Sequence, residues 1–226
     1  MVILASAGIS CQTARQLYLF ALRQTVDVTF VKGTLDWWIC PPDSLAHWLN
    51  AGMPDFRRKE ICMRLGSVCW ERFDIFFWND FYTIPEQDQS SYVDMDLCFD
   101  RERSKFAYLR DKFSSINPET TLFFILNTQS NLDTTVFKAF EEDRYHFTED
   151  NLQSLADSFT YFFKVPIKLY CVTRSDRATE SLLNKDGVSI IDSDQSEWFG
   201  DDNAWDEIIK QHIPEIKQEQ PSTVDY

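Results

Sequence analysis

Glycine is scarce in this chain, 6 among 226 residues. That leaves little material for long flexible linkers and favours one continuous domain. Cationic side chains are outnumbered, 22 Lys and Arg against 36 Asp and Glu, for a formal net charge of −14. An acidic surface repels a nucleic-acid backbone and an anionic membrane, so neither is expected as a partner. Long hydrophobic runs are also missing. No stretch approaches the roughly 20 apolar residues that a membrane helix needs. The opening run MVILASAG is short and has no basic flank, so no secretory leader is expected.

Motifs for metals and phosphates are absent too. The sequence has no GxGxxG, no GxxxxGK[ST], no HExxH, no EF-hand loop and no GxSxG. Six cysteines stand at positions 11, 40, 62, 69, 98 and 171, and none forms a CxxC pair. Cys62 and Cys69 have no neighbouring histidine or second pair to complete a zinc site. No metal or cofactor is therefore expected. Disulfides are not needed by a chain that is 44% hydrophobic, with 19 Phe and 7 Trp to fill a core. Reduced thiols and a cytoplasmic location follow as expectations.

What is present reads as alternating strand and helix. Met1 to Ala7 is a short buried strand that stops at Gly8. Ser10 stands where an N-cap would, and Ala14, Leu17, Tyr18, Ala21 and Leu22 then share one helical face. Val28 to Val31 reads as a second strand. Pro41-Pro42-Asp43 opens a helix with Leu45, Trp48 and Leu49 on its apolar side and Gly52 at its end. Residues 60 to 84 look extended, and 86 to 91 look like a polar loop. A helix is predicted from Arg101, with Phe106, Leu109, Phe113 and Ile116 on one face and Pro118 as its stop.

Thr121 to Leu126 is apolar throughout, as in a parallel strand buried on both faces. A polar turn follows at Asn127 to Asn131. A helix capped by Thr148 runs to residue 163. Strands are predicted at Ile167 to Val172 and Val188 to Ile191, and a last helix at Trp205 to Ile213. The pattern predicts an α/β fold: a three-layer, Rossmann-like sandwich around a mostly parallel sheet, in one domain over 1–213, with 214–226 as a polar tail.

In open α/β sheets, ligands bind at the carboxyl ends of strands. Cys11 lies there, in the turn from the first strand into the first helix. A helix N-terminus favours thiolate over thiol, and the N–H groups of Cys11 and Gln12 are placed to hold an oxyanion, with Gln12 adding a side-chain donor. A small buried residue is the competing reading, because cysteine is among the most buried types. Only three histidines exist to act as a base, at 47, 146 and 212. His47 is the best placed, soon after the Asp36-Trp37 segment; the other two read as solvated or satisfied. Asp36 and Asp80 each interrupt an aromatic run, where a carboxylate is costly unless paired.

These residues together resemble a mainly bacterial family of unknown function described as papain-like cysteine peptidases. Its members carry a strand, a Gly-Ser-x-Cys turn and a helix, matched here by Gly8-Ile9-Ser10-Cys11-Gln12. Its Phe-Asp-Trp motif is matched by Leu35-Asp36-Trp37, and its His-Asp-Phe segment by Asn79-Asp80-Phe81. Its strand-end Arg falls on Asn127. The resemblance covers about the first 130 residues. Taken with the positional reading above, it gives Cys11, Asp36, Asn79 and Asp80 as candidate catalytic positions and Ser10, Gln12, Trp37, His47 and Asn127 as candidate oxyanion or binding positions. It also implies that the family's histidine is replaced by Asn79, which donates hydrogen bonds but takes no proton near neutral pH.

Three readings follow. The chain is a cysteine-dependent hydrolase or acyl transferase acting through Cys11 on a small-molecule, peptide or glycan substrate. Alternatively it is a binding protein that has kept the fold and lost the chemistry. Third, it is an esterase or glycan-modifying enzyme with Ser10 as nucleophile.

Overall fold

Val2–Ser6 forms β1, and Gly8 turns it into α1, Cys11–Arg23. Gly8 has φ +85°, and a Cβ there would stand 3.1 Å from Leu45 Cδ2, so both conformation and space call for glycine. The computed structural model describes residues 2–24, 27–64, 66–77, 80–84, 90–129, 132, 142–192 and 200–213. Beyond α1 come β2 (Val28–Phe30), β3 (Trp38–Ile39), α2 (Pro42–Asn50), β4 (Ile61–Arg64), β5 (Ser67–Trp70) and β6 (Ile75–Phe77). The second half continues with α3 (Met95–Ser114), β7 (Thr121–Leu126), α4 (Glu149–Phe163) and β8 (Leu169–Thr173). It closes with α5 (Glu180–Leu183), β9 (Val188–Ile190) and α6 (Asp202–His212).

Five strands make one all-parallel sheet in the order β2-β1-β7-β8-β9. Each β7 face feeds a different core. Phe123 and Ile125 pack with Phe113 of α3, Leu155 and Phe159 of α4 and Leu45 of α2. Phe124 and Leu126 pack with Leu17 and Phe20 of α1 and with Trp205 and Ile209 of α6. Two apolar faces on one sheet, each covered by helices, give the three-layer α/β sandwich that the sequence pattern predicts.

A second sheet, β3-β6-β5-β4, is antiparallel and sits between β2 and β7 in the chain. The extended reading of residues 60 to 84 resolves into this meander, whose aromatic core centres on Trp38. Its ring stacks on Phe106 of α3 at 5.6 Å and meets Trp48 of α2 edge-on at 4.8 Å. That contact ties the insertion to the main sandwich.

Some boundaries differ from the pattern for local reasons. α3 begins at Met95, not Arg101, because the Asp94 carboxylate accepts the N–H groups of Asp96 (3.1 Å) and Leu97 (2.9 Å). α6 likewise begins at Asp202, capped by Asp201. β8 begins at Leu169, two residues later than predicted. Ser10 occupies the N-cap position of α1, but its hydroxyl makes no cap bond. The short α5 has no counterpart in the sequence reading. Most of the 86 to 91 loop, and the whole 214 to 226 tail, lie outside the described residues.

Candidate functional site

In the order β2-β1-β7-β8-β9, connections leave β1 and β7 toward opposite edges of the sheet, so the crevice of a doubly wound fold falls between their carboxyl ends. Cys11 and Gln12 arrive there from β1, and Asn127 to Gln129 from β7. All of these side chains are buried. The crevice is filled by the chain itself. Gln129 Oε1 accepts the Cys11 S–H at 3.6 Å and the Gln12 backbone N–H at 3.3 Å. Thr128 Oγ1 donates to Gln12 Oε1 at 2.7 Å. Gln12 Nε2 and Ser10 Oγ are buried without a partner among the described residues.

The amide oxygen of Gln129 thus occupies the position that a substrate oxyanion would need in a Cys11 mechanism. The thiol is the donor of its hydrogen bond and is therefore protonated. Burial pushes the Cys11 pKa up to about 11, against the opposing pull of the backbone N–H groups of Cys11 and Gln12. Burial likewise pushes the thiols of Cys40 and Cys171 up.

Asn127 is committed to structure as well. Its Nδ2 donates to the carbonyls of Tyr145 (2.9 Å) and Arg177 (2.8 Å), and its Oδ1 accepts from Thr173 Oγ1 at 2.8 Å. Arg177, itself buried, returns hydrogen bonds to the carbonyls of Asn127 and, at 2.8 Å, of Gln129. This clasp joins β7, β8 and the segment around Tyr145.

The other predicted site residues lie apart from this crevice. His47 is exposed on α2 with its ring edge-on to Phe73 at 4.9 Å. Asp80, nearly buried, is ion-paired with Lys105 of α3, and Lys105 also lies 3.4 Å from Glu102. Burial raises the Asp80 pKa, and the facing Lys105 opposes the rise. Asn79 lies outside the described residues. Among the described residues, no three His, Cys, Asp or Glu side chains gather as a metal site requires.

Asp36 and Trp37 open a second place. They follow β2 in a turn of 3-10 helix and line a groove of about 640 Å³. That volume falls within the roughly 300–1,000 Å³ of small-molecule sites. α1 supplies Arg15, Tyr18 and Leu19 to one wall; β2 and its exit supply Phe30 and Lys32, and α3 supplies Lys112. Tyr18 meets Phe30 edge-on at 6.2 Å. Asp36 Oδ2 accepts the Gly33 N–H at 2.9 Å, whereas Oδ1 is buried with no partner among the described residues. Burial is the largest influence on Asp36 and pushes its pKa up to about 7, despite the Gly33 N–H and the facing Lys32 and Lys112. Arg15 is paired with Asp202 at 3.1 Å.

Sequence reasoning named Cys11, Gln12, Asp36, Trp37 and Asn127 and missed Gln129, Thr128, Arg177 and the lysines. Gln129 stood within the polar turn after the apolar run of β7, at the carboxyl end of a central strand, so its position carried a signal. Arg177 carried none, because it reaches the crevice from a segment 50 residues beyond Asn127.

Comparison with protein-family models, with curated proteins and with solved structures finds no match to this chain.

Proposed function

We propose that this chain is a non-catalytic binding protein on a doubly wound α/β sheet, with Cys11 as a structural thiol. The Cys11 sulfur carries the reading: it is buried, its proton is committed to Gln129, and its pKa is pushed up to about 11. A nucleophilic cysteine works as thiolate and needs a base to form it. Among the described residues no histidine hydrogen-bonds to Cys11, and the resemblance places Asn79 where the papain-like family has its histidine. Buried, reduced thiols and an acidic chain fit the cytoplasm, with a small molecule rather than a nucleic acid as ligand. No helix among the described residues is long and apolar enough to cross a membrane.

The cysteine-hydrolase reading keeps one observation in its favour. Cys11 is the first residue of α1, where the helix dipole and free N–H groups favour negative charge. Ser10 has a buried, unpartnered hydroxyl but no base beside it among the described residues. Incubation with p-nitrophenyl acetate separates the three readings. The binding reading expects no burst of nitrophenol and no acetyl group on either residue by peptide mass spectrometry. A one-equivalent burst with the acetyl on Cys11 restores the hydrolase, and one on Ser10 restores the esterase.

A further inference from the structure

The groove beside β2 has more specific chemistry than a generic pocket. Its charged lining runs against the charge of the molecule. On a chain of net charge −14, Lys32 and Lys112 both face it, and neither has an ion-pair partner within 4 Å among the described residues. Arg15, also in the lining, is already paired with Asp202. Two lysines without ion-pair partners among the described residues share one concavity, while most described cations are paired, and this leaves a positive charge for a ligand to satisfy.

The rest of the lining is apolar or aromatic. Tyr18, Leu19, Phe30 and Trp37 give walls for a flat or aliphatic body, and none of them is fully buried. Asp36 is the one carboxyl in the lining. With its pKa pushed up to about 7 it is only about half ionised near neutral pH, so it does not cancel the lysines. Its Oδ1, on a residue 2% exposed, is a buried polar atom with no partner among the described residues. An unsatisfied buried oxygen beside an open cavity is a place where a ligand hydrogen belongs.

We propose that this groove binds an organic anion: a carboxylate or phosphate monoester on an apolar body, with a hydroxyl or amine reaching the Asp36 side. Lys32 and Lys112 take the anionic group as charge-assisted donors. Trp37, Phe30 and Tyr18 hold the body. The assignment rests on the binding reading above for its purpose, but not on the state of Cys11.

The test uses the whole chain and 8-anilinonaphthalene-1-sulfonate, a fluorescent anion on an aromatic body, with N-phenyl-1-naphthylamine as its uncharged counterpart. Saturable binding of the sulfonate at one site is expected, about tenfold or more tighter than the uncharged dye. Lys32→Gln with Lys112→Gln should weaken the sulfonate by about tenfold and leave the neutral dye unchanged. Lys168→Gln, whose lysine pairs with Asp186 away from the groove, should change neither. These lysines are exposed, so the variants are expected to fold, and circular dichroism verifies it. Displacement of the sulfonate by 1-naphthoate or by 1-naphthyl phosphate identifies which anion is preferred, and either supports the proposal. Equal binding of the two dyes, an undiminished affinity in the lysine variant, or displacement by neither naphthyl anion overturns it. An acetyl adduct on Cys11 in the preceding experiment overturns the non-catalytic reading and leaves the dye results untouched, so the two failures are separable.

Discussion

At Cys11 two physical effects of unequal size oppose one another. The first turn of α1 favours a thiolate by about 0.3–1 kcal/mol, and by no more than about 2. Loss of water around the sulfur acts the other way and is larger, so the pKa goes up to about 11. Position at a helix start reads as nucleophilic only while solvent or a base is at hand. Asp36 shows the same competition with a consequence for stability. Burial carries its pKa in the folded chain to about 7, against an ordinary value of 3.8. A carboxyl with a raised folded pKa stabilises fully below the unfolded value, and that contribution is lost as pH rises through the folded one. Stability should therefore decline between about pH 4 and pH 7 through this group. Asp36→Asn keeps an acceptor for the Gly33 N–H and removes the titration. The variant should exceed the wild type at pH 8 by an amount that shrinks toward pH 4, at most about 4 kcal/mol by linkage. Urea midpoints across that range measure it; a difference independent of pH would show that Asp36 titrates normally.

The elements differ in how much of them the sequence spells out. β7 is legible because Thr121 to Leu126 is apolar on both faces, and α4 because Thr148 and Asn151 cap each other at 3.0 and 3.1 Å. The start of α3 was misread because Asp94 to Phe99 lacks a clean apolar stripe, and only the carboxylate of Asp94 fixes the boundary. The antiparallel meander was legible as extended chain but not as a separate sheet, since β3 joins it only by pairing Trp38 with Phe77, 39 residues further along the chain. The candidate site divides the same way. Cys11 and Asp36 follow from local turns, whereas the clasp around Asn127 needs three segments at once. Asn127→Ala would leave two buried carbonyls and the Thr173 hydroxyl without their side-chain partner. The expected loss is about 2–4 kcal/mol of stability, read from a lowered denaturant midpoint. Asn127→Asp should also destabilise, because a carboxylate cannot donate to either carbonyl. A change under about 0.5 kcal/mol in both would mean the clasp is dispensable.

Across the whole molecule, the parallel sheet sets up a crevice at the carboxyl ends of β1 and β7, and the chain fills that crevice with its own Gln129. Open, ligand-sized space lies beside the edge strand β2, between α1 and α3, under two lysines that have no ion-pair partner among the described residues. Fold topology alone would place a ligand site beside the cysteine; side-chain packing fills that crevice and sets the open groove apart from it. The separation makes the state of the Cys11 thiol the point on which the account stands. Alkylation of each cysteine by iodoacetamide, followed from pH 6 to pH 11 by peptide mass spectrometry, measures it directly. Cys62, the one thiol with partial exposure, should react first. Cys11 should stay slow through neutral pH and gain reactivity only on approaching the alkaline end. A Cys11 that alkylates faster than Cys62 at pH 7, with a half-rise below pH 8, would contradict the account and return the cysteine to catalysis.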